Sequence, residues 1–348
     1  MTEGKGMSCE IVRVDPFDDE AFEAWYATYA AADAHGREEL AGTWTLAELR
    51  AQGQAVQEHQ ESAWWSGLLE GRTVVAGKLR LTHHDNRDLA MVEVFTEPAH
   101  RTHGHGSAML AVLEEQARAA GRTRLLAECS YPIDAPQDGS GHPYADFLRH
   151  RGFTFGIGDV QRILDLPVPE DDLHALVDSA APSHASYTFR SFAGQIPEEL
   201  LAEYAALCGA LMTEAPTGDL VLESSHVDVD AFRAEQEVLE RQGRTRYGTV
   251  AIADDGTLAG YTDIVASAHD RGRGYQWGTL VWSAHRGHRL GLALKARNLV
   301  SLQRERPDLG VVRTWNAEVN DHMVAVNDLL GFRPVERLGE FQKNPGAS

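Results

Sequence analysis

The strongest constraint in this chain is a segment that occurs twice. At Phe95 to Leu110 the sequence reads FTEPAHRTHGHGSAML, and at Gly278 to Lys295 it reads GTLVWSAHRGHRLGLALK. In each copy an apolar strand runs into a loop of Gly, Arg and His, and the loop opens a helix. Placing Arg101 over Arg286 aligns Ala99 with Ala284, His100 with His285, His103 with His288, Gly106 with Gly291 and Ala108 with Ala293, 185 positions apart. A Gly-Phe pair follows each copy at nearly the same distance, Gly152-Phe153 and Gly331-Phe332. A segment that recurs together with its surroundings requires two copies of one domain.

The repeated segment is an anion cradle. A helix N-terminus leaves backbone N–H groups unpaired and carries a partial positive charge, so a pyrophosphate can dock there if small residues let it approach. Gly287, Gly291 and Ala293 are those small residues in the second copy, on either side of Leu290 and Leu292. Arg286, His288 and Arg289 add charge or donors. Arg101, Gly104 and Gly106 are the corresponding candidates in the first.

These residues resemble the GNAT family, the GCN5-related N-acetyltransferases, whose pyrophosphate loop follows Arg/Gln-x-x-Gly-x-Gly/Ala. RTHGHG (Arg101 to Gly106) fits fully, and RGHRLG (Arg286 to Gly291) fits except that Arg289 stands where the first Gly is expected. The family's late signature is present once, as NDHMVAVNDLLGF (Asn320 to Phe332). The resemblance implies an α/β (α+β) chain of two tandem GNAT-like domains, each a mixed, mostly antiparallel sheet flanked by helices. It also implies acetyl-CoA as co-substrate, with no metal. Strands four and five would splay, with backbone of Leu280 and Val281 facing pantetheine and thioester. Residues Arg286 to Ala293 would take the pyrophosphate, and Asn320 joins the cofactor-binding set.

Composition bounds the rest. A length of 348 residues suits two domains, and 43% hydrophobic with 24% charged residues is ordinary for a soluble globular protein. No run of about 18 apolar residues spans a membrane, and MTEGKGMSCE lacks the apolar core of a signal peptide. Cys9, Cys129 and Cys208 stand singly, which fits a reduced cytoplasm better than zinc or a disulfide framework. A net charge of −20 argues against nucleic acid and weakly favours a cationic acceptor. Coenzyme A must then be held by local positive groups, which the two loops supply.

In chain order, a strand from Glu10 and a helix carrying Phe22, Trp25, Tyr26 and Tyr29 precede a second helix over Leu46 to His59. Strands follow at Ser62 to Leu69, Thr73 to Thr82 and Leu89 to Thr96, then the first loop and its helix, a strand over Thr123 to Ser130, and a Pro/Gly-rich loop. Phe153 to Leu166 reads as a closing hairpin, and PVPEDDLHALVDSAAP (Pro167 to Pro182) as a linker with an amphipathic turn or two. The expected organisation is a domain over 1–166, a linker over 167–183 and a domain over 184–348. The second half restarts the pattern: a strand at Tyr187 to Phe192, helices at Pro197 to Met212 and Val227 to Gln242, and strands at Arg244 to Ala253, Leu258 to Ala266 and Gly274 to Trp282.

Acetyl transfer to an amine needs a polarised thioester, a neutral amine and a destination for charge as the tetrahedral intermediate collapses. Glu214, in the loop MTEAPTGDL, is the candidate base, with Asp219 and then Glu318 as alternatives; the bland reading is a solvated polar turn. Where the family commonly places a Tyr that protonates the leaving thiolate, this chain has Asn327 in the second copy and Leu148 in the first. An amide cannot act as that acid, so Asn327 would at most hydrogen-bond the sulfur. The histidines fall where phosphate-loop residues are expected rather than in a ligand set. The second domain, with the late signature, is expected to be the catalytic one. The expected function is an acetyl-CoA-dependent N-acetyltransferase acting by direct transfer on a small, cationic primary amine, as a monomer or homodimer. The alternative is a non-catalytic acyl-CoA-binding or sensory tandem protein.

Overall fold

In the computed structural model of the chain, residues 8–55, 59–214, 216–221, 229–270 and 272–344 are described. The first half runs β1 (Glu10–Val14), α1 (Asp19–Ala34), α2 (Leu46–Gln54), β2 (Gln60–Leu69), β3 (Arg72–Thr82), β4 (Leu89–Thr96), α3 (His105–Ala119), β5 (Arg124–Pro132), α4 (Pro143–His150) and β6 (Thr154–Asp165). The second runs α5 (Glu170–Ala180), β7 (Tyr187–Ala193), α6 (Leu201–Glu214), α7 (Val229–Arg241), β8 (Arg244–Ala253), β9 (Leu258–Ser267), β10 (Arg273–Val281), α8 (Leu290–Glu305), β11 (Val311–Ala317), α9 (Asp321–Leu330) and β12 (Arg333–Lys343).

Local chemistry explains where helices begin. The Asp18 carboxylate accepts from the Ala21 N–H at the start of α1, and Thr45 and Glu48 form a capping box on α2. Helix α2 ends at Gln54, short of the expected His59; residues 56–58 lie outside the described ones, as do 227 and 228 of the helix expected over Val227 to Gln242.

One compact unit comprises residues 1–129, 141–156 and 340–348. Strands β1 to β5 lie in sequence order, antiparallel except for the β4–β5 pair. Successive side chains of β3 face opposite ways, as strand geometry dictates. Val75 and Leu79 pack with Met109, Leu110 and Leu113 of α3, while Ala76 packs with Phe22 and Trp25 of α1.

The other unit comprises residues 130–140 and 157–339. Its strands follow the order β6-β11-β10-β9-β8-β7, with β10 and β11 parallel. Helix α8 packs through Leu292, Ala296 and Leu299 against Ile264 and Val312, while Tyr204 and Leu207 of α6 pack with Tyr261 and Val250.

These units depart from the expected boundaries at 166 and 184. Phe153 to Leu166 is no hairpin: it is one long strand, and its part from Asp159 to Asp165 pairs antiparallel with Ala317 to Val311 in the second unit. Residue 340 and those after it belong to the first unit. Phe341, fully buried, packs against Phe155 and sits in the core of the first unit. Nor is 167–183 a linker, because Leu173 and Val177 of α5 are buried in the core with Leu299. Their helical spacing gives α5 an apolar face, and full burial of one Leu contributes about 2–3 kcal/mol.

Candidate active site

Each unit contains a splayed pair of parallel strands. In the second, β10 and β11 pair only at Arg273↔Val311, Gly274↔Val312 and Tyr275↔Arg313, although β10 continues to Val281 and β11 to Ala317. In the first, β4 and β5 pair only from Leu89↔Arg124 to Met91↔Leu126. Beyond these points the strands part and leave unpaired backbone edges, the gap that the resemblance implies.

The gap in the second unit opens beside a β-bulge. The β10–β9 register shifts between Gln276 and Gly278, so Trp277 is an extra residue and its side chain is 38% exposed. Buried side chains hold the bulge where the ladder does not. The Gly278 N–H donates to Asp263 Oδ1 at 2.8 Å, and Gln276 Nε2 donates to the Gly278 carbonyl at 2.8 Å. Asp263 in turn pairs with Arg246, whose guanidinium lies within about 6 Å of the rings of Tyr204, Phe232 and Trp277. A glycine is required at 278, since an added Cβ would stand 2.2 Å from the Tyr261 hydroxyl. In the first unit the β3–β4 register runs unbroken from Val75↔Thr96 to Leu81↔Ala90.

Among the described residues, no side-chain cap bonds the start of the helix that follows either loop. The first-turn amides of α3 and α8 are therefore left as candidate donors to an anion. Two positions in each loop adopt left-handed backbone, Thr102 (φ 66°) and Gly104 (φ 90°) in the first, Gly287 (φ 86°) and Arg289 (φ 54°) in the second. Glycine and side chain have exchanged places between the copies. This accounts for Arg289 where Gly is expected: the conformation is kept at a cost of about 1–2 kcal/mol, and Arg289 Nη1 donates to the Ser179 carbonyl at 2.8 Å.

The candidate phosphate side chains are largely engaged elsewhere. His288 Nδ1 lies 2.9 Å from the Ser183 carbonyl oxygen, and Arg286 pairs with Glu214. In the first loop Arg101 donates to the Thr96 and Ala32 carbonyls and to the Tyr144 hydroxyl. Backbone amides are what the loops leave open. A Cβ on Gly291 would meet nothing within 4 Å, whereas one on Gly106 would meet Thr96 Oγ1 at 3.0 Å. Leu290, Leu292 and Ala293 are buried under α8, and Leu280 and Val281 line β10 opposite Tyr261 and Gly260.

The candidate catalytic residues are not gathered at one point. Glu214, at the end of α6, spends its carboxylate on Arg286; Glu318 accepts from Arg337 Nη1 at 2.7 Å; Asp219 is exposed. Asn320 caps α9, its Oδ1 accepting from the Met323 N–H at 3.2 Å. Asn327 is fully buried: its Oδ1 accepts from Lys295 Nζ at 2.8 Å and its Nδ2 donates to Asn316 Oδ1 at 3.1 Å. Burial raises the Cys208 thiol to about 12, so it is no nucleophile. Among the described residues, no group of three or more His, Cys, Asp or Glu could hold a metal.

Sequence reasoning missed Asp263, Arg246 and Lys295. Each acquires meaning only from a partner on another element. The bulge had a faint local signal, a Gly after Trp277 inside an otherwise strand-like run.

Residues 20–137 match the model of the acetyltransferase (GNAT) family. Over 97% of its length the chain superposes on 99% of a tandem GNAT protein from the clavulanic acid biosynthesis pathway, with 25% identity and a TM-score of 0.77. Residues 20–137 thus carry a GNAT domain, and the chain over nearly its full length is similar to a tandem GNAT protein. A GCN5-related N-acetyltransferase from Sphaerobacter thermophilus shares the fold at 13% identity and a TM-score of 0.65, with 98% of this chain and 96% of that one covered. A glucosamine N-acetyltransferase region of a fungal multi-domain GH3 β-N-acetylglucosaminidase does so at 15% identity and a TM-score of 0.64, covering 96% of this chain and 38% of that chain. No curated protein matches the sequence. The GNAT fold is that of acyl-CoA-dependent N-acetyltransferases, and acetyl-CoA is the family's co-substrate. Among the described residues, no helix is long and apolar enough to cross a membrane.

Proposed function

We propose that the second unit is an acetyl-CoA-dependent N-acetyltransferase that transfers the acetyl group directly to the primary amine of a small molecule, as the family does. The observation that carries this reading is the conjunction, in this unit, of a splayed strand pair opening at a bulge with an uncapped helix whose Gly291 leaves room for a phosphate. The amides of Leu290, Gly291 and Leu292 would hold the pyrophosphate, Gly287 would permit its approach, and the edge of β10 at Leu280 and Val281 would run along the pantetheine.

In this reading the bulge, with the Gly278 N–H held by Asp263, turns the β10 backbone beyond it toward the thioester, where a fixed amide would stabilise negative charge on oxygen more effectively than mobile water. The amine attacks the carbonyl carbon, the C–S bond breaks, and the electron pair leaves on sulfur. The engagement of Asn327 by Lys295 and Asn316 favours a second reading, a unit that binds acyl-CoA without turnover.

The deciding experiment follows CoA release from acetyl-CoA with a panel of primary amines, both cationic and neutral. Amine-dependent release that Gly291→Glu abolishes and Gly106→Glu leaves intact supports the proposal. Tight acetyl-CoA binding with no amine-dependent release supports the second reading. Release abolished by Gly106→Glu alone moves the activity to the first unit.

A further inference from the structure

A cleft in the first unit lies away from both loops. Its volume is about 680 Å³, within the range of small-molecule sites, and its walls include Glu61, His83, Arg87, Asp88, Gly121 and Arg122. The turn between β3 and β4 forms one side and the turn after α3 another. Strand β4 runs from this cleft to the first loop, so its eight residues, about 26 Å of strand, separate the two places.

The acids of the cleft are already held. Asp88 accepts from Arg124 Nε at 2.6 Å and from Arg124 Nη2 at 2.7 Å, and Glu61 lies 3.7 Å from Arg13 Nη2. The guanidinium groups are not matched in the same way. Arg87 is exposed, and among the described residues its side chain has neither an ion pair nor a hydrogen bond. Arg122 is only 9% exposed, and no carboxylate bonds it. It donates through Nη1 to the Arg87 carbonyl and through Nη2 to the Thr82 carbonyl at 2.8 Å, while its Nε has no acceptor. Burial, and after it the charge of Arg87, lowers the Arg122 guanidinium from its ordinary value; Asp88 and Glu61 act the other way without cancelling this.

The backbone holds this arrangement in place. Arg122 N–H donates to the Ala117 carbonyl at 2.9 Å at the end of α3, and the Thr123 and Arg124 N–H groups both donate to the Asp88 carbonyl, at 2.8 and 2.9 Å. The two turns are thereby tied together, and two carbonyls fix the plane of the Arg122 guanidinium. Those carbonyls use two of its five N–H groups, so the fork retains donors for a ligand. A planar guanidinium fork matches the oxygens of a carboxylate or phosphate, and an exposed Arg87 can close over the same group.

We propose that this cleft binds a small oxyanion, the carboxylate or phosphate group of a metabolite, between Arg87 and Arg122. Such an anion offsets two neighbouring positive charges, one of them desolvated, that the fold leaves without a carboxylate of their own. In a chain of net charge −20, local groups of this kind are what an anion site requires. The site is separate from the acetyltransferase reading of the second unit and does not depend on it.

The test is calorimetric titration of the full chain at low ionic strength with inorganic phosphate and, separately, with succinate. Both the wild type and the double variant Gly106→Glu/Gly291→Glu, in which a carboxylate stands at each loop, are titrated. One saturable site per chain should persist in the double variant. Adding Arg87→Glu to it should weaken binding about tenfold or more, because a charge-assisted contact becomes a repulsion. Arg87→Lys should weaken it less. Arg87 is exposed, so its variants should melt as their parents do, and the bound anion should raise the melting midpoint of the double variant but not of the one that also carries Arg87→Glu. Binding of phosphate alone assigns the site to phosphate esters, binding of succinate alone to organic acids, and binding of both to oxyanions of either kind; each supports the proposal. Absence of saturable binding of both anions to the double variant, or binding that Arg87→Glu leaves unchanged, overturns it.

Discussion

Gly291→Ala separates folding from cofactor binding. An added Cβ at 291 meets no heavy atom within 4 Å, and the residue lies in the first turn of α8 with ordinary helical backbone. The substitution should therefore not destabilise the fold, and the lower entropy of Ala relative to Gly adds up to about 0.5–1 kcal/mol. The methyl group would occupy the space that a phosphate oxygen needs in order to reach the amides. Losing one or two charge-assisted hydrogen bonds of about 1.5–3 kcal/mol each weakens binding roughly 10- to 20,000-fold. Gly291→Glu adds repulsion: one charge about 4 Å from a phosphate at an effective dielectric of about 20 contributes about 4 kcal/mol. Calorimetric titration with CoA and a thermal melt on the same samples supply the two readouts. An Ala variant that melts at or above the wild type and binds CoA at least tenfold more weakly fits the cradle. Unchanged affinity in both variants would refute the placement of the diphosphate on α8.

Glu214→Gln should weaken turnover if the carboxylate is the base, yet it also frees Arg286. CoA affinity should then rise by about two- to fivefold at low salt, the range for an exposed ion pair; a fall in affinity contradicts the pairing. Asp263→Asn leaves the Arg246 charge buried without its partner and should cost about 3–5 kcal/mol in denaturant melts. An unchanged midpoint would mean that the pair does not hold the bulge. For Asp159, burial raises the carboxyl from 3.8 to about 6, so the native state binds the proton more tightly than the unfolded chain does. Stability is then lost as pH rises from about 4 to 6, by at most about 3 kcal/mol. Asp159→Asn should recover most of that at pH about 8 and almost none at pH about 3. A gain that is the same at both pH values would show that the carboxyl does not titrate in this way.

Much of the fold is local and could be read directly. Strand β4 runs over the expected Leu89 to Thr96, and α8 begins one residue before the expected Gly291. Capping residues, turn glycines and apolar period fix such elements within a few residues of themselves. The hairpin expected at Phe153 to Leu166 shows the limit of that reading. Its apolar run is equally consistent with a hairpin or with one buried strand, and only the partner, residues 311–317 of β11, decides between them. The amphipathic turn in 167–183 was visible, but the surface that buries Leu173 was not. Site residues follow the same division. The anion cradle is a property of one loop and one helix, so motif spacing revealed it. Glu214, chosen as a base from its loop, is turned to Arg286 by the path of α6, and Asn327 is drawn into a network with Lys295 and Asn316.

What the sequence determined by itself is the repeated strand, loop and helix, because backbone conformation at Gly104 or Gly287 and open amides at a helix start depend on neighbours in the chain. The tertiary structure alone decided which unit receives β6 and residues 340–348. It also decided which gap opens at a bulge and that Lys295 is buried against Asn327. Those outcomes depend on contacts between residues on separate elements, whose closure is decided by the whole core and leaves no periodic trace in either segment.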